Sequence, residues 1–301
     1  MNLFARLSLL AVFVSAVTAA TIHLTPDCTK VVTFEGTPKG KNYASYKVYW
    51  CQVILGVMKV INGVNTYVAK AERPSNRRRA LLFLTGNYTL MRMTDISDGL
   101  LYQISSVYLW LTARQLMADD FAANGFDTFI PDYLNGDPAP VDDPTFNIGA
   151  WLPKHGEAQT MPTLLAAIEG LKKEGYSEFA STGYCFGGLY STRLSQQNLV
   201  KVGTMAHPSL LAVPDDFNTL LAKSKVPLQI NSAELDNAFP PASQALVDGI
   251  LGQGKYHPGY NRTFFAGVAH GFAVRANLSN PIEKAAKEGA FFAAVEWLKA
   301  H

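Results

Sequence analysis

The stretch Ser181-Thr182-Gly183-Tyr184-Cys185-Phe186-Gly187-Gly188 has the form G-x-C-x-G-G, with a cysteine where a hydrolase nucleophile elbow carries its reactive residue. In such an elbow a strand turns sharply into a helix. Glycines two before and two after the nucleophile let the backbone close, and the side chain between them points at substrate. At the first turn of a helix, unpaired backbone N–H groups and the helix dipole favour a thiolate over a thiol. The competing reading is a buried free cysteine in a glycine-rich turn. Downstream the chain supplies an acid and an imidazole, in the order nucleophile, acid, base. The run Val226-Pro227-Leu228-Gln229-Ile230-Asn231 reads as a strand, and Ser232-Ala233-Glu234-Leu235-Asp236 follows it. Asp236 then sits past a strand end, where an acid can orient an imidazole; Glu234 is an equally placed rival. Thr263 to Phe272 reads as a last strand running into a loop that carries His270. Taken singly, Asp236 could be a loop-capping residue and His270 a surface histidine. Three such residues in order, at three strand ends, point to acyl transfer by a Cys-His-Asp triad.

The elements around them alternate in the manner of a parallel sheet covered by helices on both faces, an α/β class. Arg79 to Thr85 is an apolar strand. Gln115 to Ala123 has a helical pattern that stops at Asn124-Gly125, and Phe126 to Ile130 is a strand ended by Pro131. Met161 to Lys173 has helical spacing, with Thr160 as a cap, Pro162 near the first turn and Gly175 as the stop. Phe179 to Thr182 feeds the elbow, Lys201 to His207 is another strand, and Pro281 to Ala300 is an amphipathic final helix. The elbow's oxyanion donor is the backbone N–H of Phe186, which the turn itself provides.

These motifs resemble the dienelactone hydrolase family, cysteine-nucleophile members of the α/β-hydrolase fold. The resemblance rests on Gly183-Tyr184-Cys185-Phe186-Gly187-Gly188, on Asp236, and on His270-Gly271-Phe272-Ala273-Val274-Arg275. Ala118-Asp119-Asp120-Phe121-Ala122, Gly125-Phe126 and Ile130 to Pro138 extend it, so that it covers most of residues 114 to 300. Phe34 to Gly40 and Ile61 to Ala69 resemble the amino-terminal strands of secreted fungal members. The resemblance implies a mostly parallel central sheet, with Cys185 as nucleophile, Asp236 as orienting acid and His270 as base. It also implies that Arg275 meets a substrate carboxylate, and that the substrate is a small ester or lactone cleaved without a metal or other cofactor. Tyr133 and Trp151 are the candidate pocket aromatics, although core packing is the default explanation for both.

Composition bounds the alternatives. The 301 residues are 48% hydrophobic and 17% charged, enough apolar material for a core, with a net charge of +2 that makes no field for nucleic acid or an acidic membrane. Arg77-Arg78-Arg79 reads as a solvated turn before a strand. No G-x-G-x-x-G, Walker or clustered Cys/His motif points to a nucleotide or zinc. A monomer is expected.

The amino terminus reads as a secretory signal over residues 1–20: Arg6 as positive flank, Leu7 to Val17 as apolar core, and small residues to Ala20 for cleavage. That apolar run is short for a membrane span. One catalytic domain over residues 21–301 is expected to follow, in an extracellular setting. There Asn87-Tyr88-Thr89, Asn261-Arg262-Thr263 and Asn277-Leu278-Ser279 are glycosylation sequons. Of three cysteines at least one lacks an intramolecular partner; Cys185 is the natural odd one, with Cys28 and Cys51 pairing or Cys51 free. Residues 41–58 and 86–113 depart from the family. They read either as inserted elements, such as a substrate-covering cap, or as translated non-coding sequence. The second stretch falls where the family carries an oxyanion amide and an activating acid, for which Asp95 and Asp98 are unanchored candidates. Two rival functions follow from that departure: a ligand-binding protein that keeps the hydrolase shell, and a broad-range carboxylesterase in which cysteine weakens a serine-type site.

Overall fold

Asn62-Gly63, both at positive φ (49° and 87°), makes the tight hairpin that opens the described chain, joining β1 (Val57–Ile61) to β2 (Val64–Ala69). The computed structural model describes residues 56–76, 78–86, 104–139 and 145–301, and for residues 104–113 the helical backbone alone. After β3 (Arg79–Thr85) come α1 (Ile104–Ala123), β4 (Asp127–Pro131), α2 (Ile148–Trp151), a 3-10 turn at Leu152–Lys154 and α3 (Glu157–Lys173). Then β5 (Glu178–Tyr184), α4 (Phe186–Gln196), β6 (Val202–Ala206) and α5 (Asp215–Lys223) lead to β7 (Leu228–Leu235) and α6 (Pro241–Leu251). The chain ends with β8 (Tyr260–Ala269), α7 (Phe272–Arg275) and α8 (Pro281–Ala300).

All eight strands lie in one sheet, in the order β1-β2-β4-β3-β5-β6-β7-β8. The β1/β2 and β2/β4 pairs are antiparallel and every pair from β4 to β8 is parallel. The central strands are buried along almost their whole length, as expected of parallel strands with helices on both faces. Alternation splits β3 between two apolar layers. Leu81 and Phe83 pack with Met117 and Phe121 of α1 and with Phe291, Val295 and Leu298 of α8. Leu82 and Leu84 face Leu164, Ile168 and Leu171 of α3 and Tyr190 and Leu194 of α4.

Two helix starts differ from the sequence expectation. The helix expected from Gln115 begins at Ile104, so the last part of the unusual 86–113 stretch is helical backbone continuous with α1. The helix expected from Met161 begins at Glu157 with Gly156 at its N-cap; Thr160 lies inside it and returns its hydroxyl to the Gly156 carbonyl (2.9 Å). Glu157 suits the positive end of the helix, and Pro162 is accommodated further in. The signal segment, Phe34 to Gly40, Cys28, Cys51, Asn87, Asp95 and Asp98 lie outside the described residues, as does most of 41–58. Among the described residues no helix is long and apolar enough to cross a membrane.

Candidate active site

Cys185 occupies the turn between β5 and α4 at φ 54°, ψ −120°, a conformation that a residue with a side chain rarely adopts. Close backbone crossing imposes it. A Cβ on Gly187 would stand 2.1 Å from the Leu84 carbonyl oxygen, and one on Gly183 would stand 2.3 Å from the Gly187 oxygen. The Cys185 N–H donates to the Ala206 carbonyl (3.3 Å), while its own carbonyl accepts from Gly188 (2.9 Å) and Ser209 (3.1 Å). The strained residue is thereby tied to β6 and to the first turn of α4. It is a free thiol.

β8 and β7 bring the other two members. His270 Nε2 lies 3.1 Å from Cys185 Sγ, and its Nδ1 lies 2.9 and 3.0 Å from the two carboxylate oxygens of Asp236. Asp236, 2% exposed, directly follows β7 and accepts from the backbone N–H groups of Ala238 (2.8 Å) and Phe239 (3.2 Å), which fix its orientation. The rival Glu234 is exposed and accepts from the Gly267 N–H (2.8 Å), bracing β8 instead.

The ionisation of the pair follows from these contacts. Burial opposes a charged sulfur, but hydrogen bonding and attraction from His270, with further hydrogen bonds to the Ser209 hydroxyl and the Phe186 N–H, hold the Cys185 thiol below its ordinary value. Burial likewise opposes a charged imidazole, yet Asp236 and Cys185 outweigh it and His270 is pushed up to about 9. Both shifts favour a thiolate facing an imidazolium.

The remaining expected residues take different places. The Phe186 N–H faces the sulfur from the N-terminus of α4. Gly86, at the end of β3, covers the Phe186 ring so closely that a Cβ there would stand 2.1 Å from Phe186 Cβ. Arg275 is half-buried in α7, its guanidinium folded over Gly271 within 2.7 Å of where a Cβ would stand, one residue from His270. Tyr133 and Trp151, expected as pocket aromatics, are packing residues. Tyr133 is 1% exposed and donates its hydroxyl to the Thr85 carbonyl (2.8 Å). Trp151 is wedged between His155 and the edge of Phe186 and donates Nε1–H to the Asp137 carbonyl (3.1 Å). Their polar atoms are spent on the backbone that carries the site. Among the described residues no group of three His, Cys, Asp or Glu side chains converges as a metal site would require.

Two neighbours escape the sequence reading. His207 and Ser209 follow β6, the strand beside the elbow strand. The Ser209 hydroxyl lies 3.6 Å from Cys185 Sγ. His207 is 1% exposed, stands edge-on to His270 with ring centroids 4.9 Å apart, and neither of its ring nitrogens has a hydrogen-bond partner. Burial, then the His270 charge, hold it well below the usual histidine range, so the ring is neutral. The signal for both is a polar triplet, His207-Pro208-Ser209, at the carboxyl end of a parallel strand, where open α/β sheets bind ligands.

A strained nucleophile turn after β5, an acid after β7 and a histidine after β8, on this sheet order, define an α/β-hydrolase. Within that class the chain belongs to the dienelactone hydrolase family, whose sequence model matches residues 110–301. It is 37% identical over 191 residues to the hydrolase pyvD of Aspergillus violaceofuscus, covering 63% of this chain and 75% of that protein. It is 30% identical over 252 residues to dienlactone hydrolase 1 of Gibberella moniliformis, covering 79% and 85%. Among solved structures, a candidate dienelactone hydrolase of Klebsiella pneumoniae superposes with a TM-score of 0.62 at 12% identity, over 83% of this chain and all of that one. The dienelactone hydrolase-like promiscuous phosphotriesterase P91 from metagenomic libraries gives 0.55 at 16%, over 82% and 96%. These likenesses agree on the fold, and the family makes the chain a hydrolase.

Two predictions follow from the geometry. Gly187→Ala puts a methyl group against backbone that cannot yield; it is expected to lower the stability read from denaturant unfolding by about 3 kcal/mol, the upper end of ordinary overpacking. Because folded His207 resists protonation while the unfolded chain takes a proton near the ordinary 6.5, stability is present above that pH and lost as pH falls below it. His270 has the opposite sign: its contribution is full below 6.5 and is lost as pH rises to about 9, while the depressed Cys185 thiol contributes stability that grows as pH rises toward the ordinary thiol value. Thermal unfolding between pH 5 and 6.5 is expected to have an acid-side slope of up to about 1.4 kcal/mol per pH unit from His207, and His207→Phe to flatten it.

Proposed function

We propose that this chain hydrolyses small carboxylic esters or lactones through a thioester on Cys185, with His270 moving the protons and Asp236 orienting the imidazole. The observation that carries this is the unbroken relay from Sγ through both imidazole nitrogens to a carboxylate pinned by two backbone N–H groups. In the first half, the thiolate sulfur bonds to the carbonyl carbon and the leaving oxygen departs with the proton from His270 Nε2. A lactone opens, its alcohol or enol remaining on the acyl chain. In the second half, neutral His270 takes a proton from water as the oxygen attacks the thioester carbon. The C–S bond then breaks, returning thiolate, imidazolium and a free acid.

The Phe186 N–H at the start of α4 steadies the carbonyl oxygen as it gains charge. Asp236 keeps Nδ1 protonated, so that Nε2 faces the sulfur. Arg275, its guanidinium folded over Gly271 next to His270 in the chain, favours substrates that carry a carboxylate, since its planar fork donates to one bidentately. A binding protein that had kept only the shell would have no use for this relay, nor for a nucleophile held at a strained φ of 54°.

The test is turnover of an enol-lactone, a neutral aryl ester and a carboxylate-bearing ester. Cys185→Ala is expected to lose all three activities, and Asp236→Asn to lower kcat about ten-thousandfold, the scale seen when a triad acid can no longer fix the tautomer. Undiminished turnover by Cys185→Ala would refute the proposal. Arg275→Gln is expected to raise KM for the carboxylate-bearing ester alone; an equal change for the neutral ester would remove Arg275 from substrate recognition.

A further inference from the structure

The backbone that leaves β6 is clamped to the elbow. Cys185 N–H donates to Ala206 (3.3 Å), the Ser209 N–H donates to the Cys185 carbonyl (3.1 Å), and His207 between them turns at φ 38° with its own N–H on the Asn231 carbonyl (2.9 Å). Pro208 fills the space beside the first turn of α4, so close that a Cβ on Gly188 would stand 2.6 Å from Pro208 Cβ. These contacts fix Ser209, and its half-buried hydroxyl lies 3.6 Å from Cys185 Sγ. Three groups thus converge on one sulfur: His270 Nε2, the Phe186 N–H and the Ser209 hydroxyl. A thiol has one proton to give and accepts weakly, whereas a thiolate accepts from all three.

Resting on Cys185 as the nucleophile, we propose that Ser209 belongs to the reacting centre: its hydroxyl donates to the Cys185 sulfur and holds it as an anion before substrate binds. The hydroxyl's work is done in the free enzyme. As the sulfur bonds to carbon its negative charge passes to the carbonyl oxygen, and the Ser209 hydrogen bond slackens as the Phe186 N–H takes up its load. The opposite polarity, a thiol donating to Ser209 Oγ, predicts the opposite response to losing the hydroxyl, so the sign of one measurement decides between them.

The measurement is the rate at which iodoacetamide alkylates Cys185 between pH 5 and 9, followed by mass spectrometry of the peptide that carries Cys185. It reads the thiolate directly and needs no turnover. Ser209→Ala is expected to move the profile toward alkaline pH. Alkylation should slow about three- to tenfold at the acid end, with little change at the alkaline plateau, as fits one lost hydrogen bond of ordinary strength. Ser209→Thr keeps a hydroxyl and should restore the wild-type profile, and an unchanged unfolding temperature in Ser209→Ala separates the effect from lost packing. A Ser209→Ala profile that overlays the wild type, or moves toward acid pH, overturns the proposal. Hydrolysis that survives in Cys185→Ala would instead remove the catalytic reading, whatever the alkylation profile shows.

Discussion

The conformation of Cys185 is the constraint on which the rest of the site depends. A residue with a side chain at φ 54°, ψ −120° costs of order 1–3 kcal/mol unless its surroundings leave no alternative. Here β3, β5 and α4 cross so tightly that Gly183 and Gly187 have room for nothing beyond hydrogen, and the backbone cannot relax without parting the strands. That crossing lifts the sulfur out of the sheet plane and sets it over the N-terminus of α4. It also draws the end of β3 across the Phe186 ring, through Gly86. The chain's two largest layers of apolar side chains flank this crossing, so the folding energy of the whole sheet is what holds one residue in strain.

Charge is arranged around that fixed point without net proton uptake. Moving a proton from Cys185 to His270 creates two charges and changes no count, and the shifts of the two groups pull stability in opposite directions as pH rises. Asp236 supplies the counter-charge and is oriented by backbone N–H groups instead of a second cation. His207 packs against the imidazole as an aromatic surface that stays neutral, and so adds shape behind His270 without adding positive charge there.

The legible parts of this arrangement are those written in local chain. Glycine spacing around Cys185 announces the elbow, and apolar runs read as ending at Thr85, Thr182, His207 and Asn231 announce strand ends, which the structure places at Thr85, Tyr184, Ala206 and Leu235. Asp236 over Glu234 is not legible, because the choice depends on how far β7 continues: Glu234 is still within the strand and points to solvent, whereas Asp236 is the first residue beyond it. Tyr133 and Trp151 stay ambiguous between pocket and core for a similar reason. A side chain's type says that it is aromatic and amphipathic, but only the packed structure shows its polar atom committed to a neighbouring carbonyl. Ser209 and His207 are hidden by topology. Nothing local links them to Cys185; the link is that β6 lies beside β5, which the order of the sheet decides.

That topology bears on why the site holds a cysteine. A serine hydroxyl reacts as it loses its proton, so donors aimed at its oxygen beforehand would stabilise an anion it does not form at neutral pH. A thiol so placed is held below its ordinary value, and donors aimed at the sulfur raise the share of enzyme ready to react. The environment of Cys185, with His270, Phe186 and Ser209 all directed at one atom, suits an anion formed in advance. With charge already on the sulfur, the proposed reaction leaves His270 one demanding task in acylation, protonating the leaving oxygen. A histidine pushed up to about 9 is well suited to that task, since it holds its proton through the physiological range until an alkoxide or enolate appears beside it.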